Sequence, residues 1–240
     1  MAYGCWKSGG AGVIKLDKVS KTFGLGMSGL ADISLVVEKG EFVFLVGPTG
    51  SGKTTLFRLL IRDMLPTKGS ITVGEFDVIK LPHKKIPTLR KKIGVVFQDL
   101  KLLTDRTIFE NIILPLEVTG VKPEEAKKQV EAIMVQVDIA IHRDKFPIQL
   151  SGGELQRAAI ARALVFSPDI LLADEPTGNL DPKTGKEILK LLLDVNKKGT
   201  TIIMATHNID IVNSLEKRVI ALEKGKLVRD QKKGKYAANS

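Results

Sequence analysis

The sequence predicts an α/β fold carrying a helical lobe, and three observations predict it. Apolar runs of strand length recur along the chain and end on polar or charged residues. One of them passes through a glycine-rich turn straight into a helix-patterned segment. The stretch from about residue 99 to 165 is instead mostly helical, which marks a second lobe within the domain. At 240 residues the chain is long enough for one large α/β domain or two small lobes with ample core.

Taken in order, residues 1–12 form a glycine-rich leader without periodicity. Val13-Ile-Lys-Leu-Asp-Lys-Val19 alternates apolar and polar residues, as does Ile33-Ser-Leu-Val-Val37. Both read as half-exposed, antiparallel strands. Phe23 lies between them and is either a strand-end core residue or an exposed ring able to stack on a base.

The run Phe42-Val-Phe-Leu-Val46 then leads into Gly47-Pro-Thr-Gly-Ser-Gly-Lys53-Thr54, which matches the phosphate-loop pattern at every fixed position. Thr55-Leu-Phe-Arg-Leu-Leu-Ile61 comes next with helical spacing. Strand, loop and helix give the pattern its meaning. Gly47, Gly50 and Gly52 let backbone N–H groups curl around a phosphate chain, and the helix adds its positive end. Lys53 can reach the outer phosphates, and the Thr54 hydroxyl can ligate Mg²⁺. Pro48, Thr49, Ser51 and Thr55 complete the candidate nucleotide contacts.

Residues 69–78 read as a short strand pair with a turn, and Ile93-Gly-Val-Val-Phe97 as an apolar strand ending at Gln98. A polar residue at such a strand end often faces a ligand crevice. Pro123 opens a helix with Glu124 and Glu125 in its first turn and Ala126, Val130, Ile133, Met134 and Val137 on one stripe. Leu150-Ser-Gly-Gly-Glu-Leu-Gln156 precedes another helix. Its Ser151-Gly152-Gly153 is either a capped turn or a phosphate-binding helix start.

The run from Asp169 to Glu175 is a buried strand that delivers Asp174 and Glu175 at its end. Buried acids are costly unless paired or metal-bound, which favours a Mg²⁺ site over a structural ion pair. The strand from Thr200 to Thr206 ends at His207. A lone histidine is more often structural, but this one shares its strand-end position with Lys53 and Asp174.

Composition narrows the class. The net charge of +10 fits nucleic acid, an anionic membrane face or simple solubility. Between residues 224 and 235 six Lys or Arg residues face only Asp230, so the tail from 229 to 240 reads as strongly basic. It is either a solvated tail or one drawn to an anionic leaflet, at about 1 kcal/mol per basic residue. No apolar run approaches the ~20 residues of a spanning helix, and the N-terminus lacks a signal-peptide core. One cysteine, Cys5, excludes an internal disulfide framework and a multi-cysteine zinc site, and fits a reducing cytosol.

The ordered set of residues 47–54, Gln98, 150–156, Asp174-Glu175, 179–181 and His207 resembles that of the ATP-binding-cassette (ABC) ATPases, over nearly the whole chain. The resemblance implies a P-loop NTPase nucleotide-binding domain over 13–228, with a mixed core sheet, an antiparallel β subdomain and an α-helical subdomain. It implies ATP and Mg²⁺ as ligands and assigns further roles. Phe23 matches the aromatic stacked on adenine, where many members carry Tyr. Gln98 matches the residue touching Mg²⁺ and the attacking water. Ser151, Gly152, Gly153 and the adjoining Glu154 match the signature that contacts ATP held by the opposite subunit. Asp174 matches the Mg²⁺-side carboxylate, Glu175 the catalytic base, Asp181 the D-loop residue and His207 the switch histidine. The chain departs from the signature at Leu155, where Gln is usual; the glycines are intact.

Within the family, residues 93–112 look most like the bacterial cell-division group typified by FtsE, with Gln98-Asp, Leu102-Leu103, Arg106-Thr107-Ile108 and Glu110-Asn111 in that group's order. The implied partners are ATP, a second copy in a head-to-tail ATP sandwich, and an FtsX-like integral membrane subunit at the cytoplasmic face of a bacterial membrane. Residues 114–120 also resemble the ATPases of lipoprotein-release and macrolide-export complexes, which form the alternative. No nucleic-acid partner is expected, because only 98 positions separate Lys53 from Ser151, without heptads or cysteine pairs. Coupling to a membrane partner is expected between Gln98 and about Thr119, or else Phe109, Ile112 and Leu116 are simply core.

Overall fold

The computed structural model describes residues 12–24 and 27–234. The expected leader therefore lies almost wholly outside the described residues, as does the last part of the basic tail.

The chain opens with β1 (Gly12–Thr22) and β2 (Ser28–Glu38), which pair antiparallel. The alternation read in the sequence is visible in the packing: Ile14, Leu16, Val19, Ile33, Leu35 and Val37 are buried, while the residues between them face out. β4 (Lys68–Val73) and β5 (Phe76–Asp77) complete a four-stranded antiparallel sheet in the order β2-β1-β4-β5.

The second sheet is mixed and has six strands. β3 (Phe42–Val46), β6 (Ile93–Val96), β7 (Ile170–Asp174), β8 (Thr201–Ala205) and β9 (Arg218–Glu223) run parallel, and β10 (Lys226–Gln231) returns antiparallel at one edge. The order is β10-β9-β3-β8-β7-β6. Every residue of β3 and β8 is buried, as a parallel sheet covered on both faces requires. The resulting P-loop NTPase fold has the mixed sheet and antiparallel unit that the resemblance implies.

One face carries α1 (Lys53–Leu60) and α2 (Ile86–Lys91), packed with the antiparallel sheet around Val43, Leu45, Leu56, Leu59 and Leu172. The other carries α6 (Pro182–Lys197), α7 (Ile209–Leu215) and the helices α3 (Ile108–Val118), α4 (Pro123–Gln136) and α5 (Gly152–Leu164). Ile112, Leu116, Val130, Met134 and Ile160 share one apolar cluster with Phe44, Leu171 and Met204 of the sheet. Thr107 and Ser151 cap α3 and α5, each in a reciprocal capping box with the glutamate three residues on. The predicted stripe of α4 is buried as expected.

Two features depart from the sequence reading. Helix α6 and the β9–β10 hairpin have no counterpart in it. The charge pattern also places a basic tail from 229, yet Arg229, Asp230 and Gln231 are strand residues paired with Ala221, Ile220 and Val219. The reason is an ion cluster: buried Arg218 donates to both Asp230 oxygens at 2.7 Å and to Glu41 Oε2 at 2.9 Å. Charge count alone hides that Asp230 neutralises a cation in the fold. Asp230→Asn is expected to destabilise the protein by about 2 kcal/mol, lowering the melting temperature by roughly 4–8 °C. An unchanged melting temperature would mean that residue 230 belongs to a free tail after all.

Candidate functional site

Four parallel strands end side by side, and the site is built from the residues just beyond each end. Past β3 lies the phosphate loop, past β7 Glu175, past β8 His207 and past β6 Gln98. Register aligns these ends, since Ala205 of β8 pairs with both Leu45 and Asp174.

Gly47, Gly50 and Gly52 all have positive φ, at 147°, 77° and 108°. A side chain on Gly47 would collide with the Leu222 carbonyl, and one on Gly52 with the Gly29 carbonyl. The loop is buttressed from below by the bond from Gly225 N to Ser51 O at 3.0 Å. Pro48, Thr49 and Gly50 are exposed, and Ser51 is buried. Lys53 Nζ donates to the Gly47 and Pro48 carbonyls at 2.7 and 3.1 Å, which holds the cation across the mouth of the loop. Burial lowers its pKa, against the opposing charges of Glu175 and Asp174.

Thr54 Oγ1 donates to Asp174 Oδ2 at 3.1 Å. Burial raises the pKa of Asp174; the Thr54 bond opposes this, Glu175 adds to it and Lys53 opposes it. A half-buried carboxylate in that position gains from a cation. The donors here are oxygens: the Thr54 hydroxyl, Asp174 and the exposed Gln98 amide two residues beyond β6. No group of three or more His, Cys, Asp or Glu able to hold a metal occurs among the described residues. A set of oxygen donors with a single carboxylate fits Mg²⁺, which uses one or two carboxylates, keeps its waters and takes substrate phosphates as ligands.

Glu175 is the most constrained residue of the site. Its φ is +47°, a left-handed conformation fixed by Glu175 N to Ala205 O at 2.9 Å and by Gly178 N to its own carbonyl at 3.1 Å. Its side chain is only 9% exposed, whereas His207 is 72% exposed at the rim. Glu175 Oε1 meets His207 Nδ1 at 2.7 Å, and Oε2 is buried without a partner. An orphaned carboxylate oxygen beside the phosphate loop is an acceptor for a water proton.

Phe23 is 38% exposed rather than core. A Cβ on Gly29 would strike its ring and would lie 3.2 Å from the Thr55 methyl, so the ring stands beside the start of α1. Lys21 Nζ also lies over the ring, 5.6 Å from its centroid.

The Ser151 turn is elsewhere. Ser151 and Gly152 are exposed at the start of α5, and a Cβ on Gly153 would strike Thr184. Asp181 caps α6 by accepting from Lys183 N and Thr184 N at 3.0 and 3.1 Å, bonds that lower its pKa, the Thr184 side chain most. The starts of α5 and α6 therefore sit together. No hydrogen bond or ion pair among the described residues joins the Ser151 turn to residues 47–55.

Two contributors escape sequence reasoning. Leu100 and Lys101, just after Gln98, have φ of 57° and 52°, and Arg162 of α5 donates to both their carbonyls at 2.5 Å. Asn111, fully buried, bonds Leu103, Arg106 and Thr107. The segment after Gln98 is thus tied at both ends to the helical lobe. The Glu-Asn pair at 110–111 is a signal for the second; nothing local marks the first.

The chain is similar in sequence and in fold to known proteins. The model of the ABC transporter family matches residues 30–178. The cell division ATP-binding protein FtsE of Bacillus subtilis is 47% identical over 94% of this chain and 99% of its own length. Its counterpart from Mycobacterium tuberculosis is 46% identical over 93% and 98%, and that from Escherichia coli 40% identical over 90% and 97%. Among solved structures, a dimeric post-hydrolysis state of the ATP-binding cassette MJ0796, bound to ADP and Pi, superposes with a TM-score of 0.83 at 35% identity, covering 93% of this chain and all of that one.

Proposed function

The chain belongs to the ABC transporter family, and from that membership we propose that it is the ATPase subunit of an FtsE-type cell-division complex. It is an ATPase. One observation carries the residue assignments: the Thr54–Asp174 bond at 3.1 Å and the Glu175–His207 bond at 2.7 Å converge on the strand end where Lys53 closes the phosphate loop.

Phosphoryl transfer is mostly positioning plus stabilisation of spread negative charge, so it needs donors on several sides. The loop amides, the α1 start and Lys53 hold the β- and γ-phosphates, and Phe23 stacks on the adenine. Thr54, Asp174 and Gln98 would hold Mg²⁺, which when bound neutralises charge on the phosphates. Glu175 orients and polarises the attacking water through its free Oε2. His207 fixes the other oxygen of Glu175 and stands near the γ-phosphate.

The far side of the γ-phosphate needs a further donor set. The Ser151 turn lies beside Asp181 and makes no bond to its own phosphate loop, which supports a two-fold head-to-tail pair, each copy completing the other's site. The dimeric state of the related cassette supports the same reading. A single copy then binds ATP yet hydrolyses it poorly.

The membrane role rests on the relatives named FtsE, whose similarity favours that group over the lipoprotein-release and macrolide-export ATPases. No helix among the described residues is long and apolar enough to cross a membrane. The chain works at the cytoplasmic face of a bacterial membrane beneath an FtsX-like subunit. ATP-driven closure is passed to that subunit through residues 98–119 and controls cell-wall hydrolysis outside. Leu114 and Val118 are exposed there, while Ile112 and Leu116 are core. Affinity purification from membranes of the producing cell is expected to bring down a four-span FtsX-like protein. A lipoprotein-release or efflux permease in its place would overturn the assignment to cell division.

A further inference from the structure

Behind the Ser151 turn lies a histidine that none of the roles above employs. His142 is 8% exposed, in the short 3₁₀ turn Ala140–His142. Its Nε2 is 2.8 Å from Glu154 Oε1. A carboxylate only accepts, so Nε2 carries the proton. Its Nδ1 is buried without a partner.

The other Glu154 oxygen, Oε2, takes two bonds from Ser151, at 2.7 Å from the backbone N–H and 2.7 Å from the hydroxyl. The single hydroxyl proton of Ser151 is therefore committed to Glu154. For Ser151 to donate to a phosphate, that proton must turn away, and Glu154 then loses one of its bonds while an anion approaches. Glu154 tolerates this only if other donors hold it in place. The Ser151 N–H does so on one oxygen and His142 on the other.

We propose that His142 is a positioning residue of the signature turn: through Glu154 it holds Ser151 ready to release its hydroxyl to the γ-phosphate of ATP in a second copy. This rests on the head-to-tail reading of the site. Three neighbouring hydrogen bonds make the histidine a fixed post. Lys145 N bonds the His142 carbonyl at 3.1 Å, and the carbonyls of Lys145 and Arg143 accept from Ile108 N and Phe109 N, at 2.9 and 3.0 Å, at the start of α3. The turn that carries His142 is thus bonded both to the signature and to the helix that comes after the Gln98 segment.

The test compares His142→Leu, which removes the donor, with His142→Gln, which can restore it, both in the Glu175→Gln background. Two quantities are measured: binding of a fluorescent ATP analogue to the single copy, and ATP-driven dimerisation by sedimentation. The Leu variant is expected to bind the analogue as before and to dimerise roughly tenfold more weakly, the size of one charge-assisted hydrogen bond, with the Gln variant close to the parent. Dimerisation of the Leu variant at the parental strength overturns the proposal. So does equal impairment of both variants. Should the Leu variant not fold, Gln is compared with the shorter Asn, which cannot reach Glu154; only Asn should fail, and equal behaviour overturns the proposal. Ser151→Ala separates the two levels. If it dimerises normally, the head-to-tail grip itself is wrong, whereas impairment of Ser151→Ala with a normal His142→Leu removes only the histidine.

Discussion

Glu175→Gln is expected to bind ATP as tightly as the wild type, to turn it over at least 100-fold more slowly, and to accumulate as an ATP-bound dimer. The magnitude is that of losing a general base, roughly 10²- to 10⁴-fold. The structure shows why binding should survive. Glu175 makes no bond to the phosphate loop; it reaches His207 through Oε1 and leaves Oε2 buried and free. Gln has the same shape, so the left-handed backbone at this residue and its bond to Ala205 are retained. Only basicity is lost. Single-turnover kinetics with wild-type rates would refute the assignment of the base. A loss of affinity equal to the loss of turnover would mean that Glu175 serves binding rather than chemistry.

Lys53→Ala is expected to act on the other side of that division, weakening ATP binding by about 100-fold or more. Lys53 already sits in a setting that burial makes unfavourable for a charge, with Asp174 and Glu175 opposing that effect. Among the described residues its ammonium bonds two loop carbonyls, at 2.7 and 3.1 Å. A triphosphate offers a far better partner, and charge-assisted bonds are roughly twice as strong as neutral ones. Truncation leaves the loop backbone intact, because Gly47 and Gly52, not the lysine, fix its path. Calorimetric titration with ATP should therefore show lost affinity with an unchanged melting temperature. Near wild-type affinity would remove Lys53 from the phosphate site.

Much of this site is legible in the sequence because its chemistry is local. A buried parallel strand is a short apolar run, and the residues just after it line the carboxyl end of the sheet, where open α/β sheets bind ligands. Val46, Asp174 and Ala205 mark three such ends, and the functional residues are the next one or two. The two caps can be read the same way, since Thr107 and Ser151 each precede a glutamate by three residues. The features that the sequence conceals depend on partners far along the chain. Arg218 finds Glu41 177 positions away, and Arg162 reaches the backbone of residues 100–101 from α5. Phe23 is ambiguous in sequence for the same reason: its exposure is set by Gly29 and by the start of α1. Asp230 reads as tail because its cation is buried in a strand edge, where charge counting does not look.

The most direct test of the paired site is the specific ATPase activity of the wild-type protein as a function of its own concentration. A triphosphate gripped by the Lys53 loop of one copy and the Ser151 turn of another predicts activity per chain that rises with concentration and then levels off as pairs saturate. Constant activity per chain down to concentrations at which sedimentation finds only single copies would contradict it.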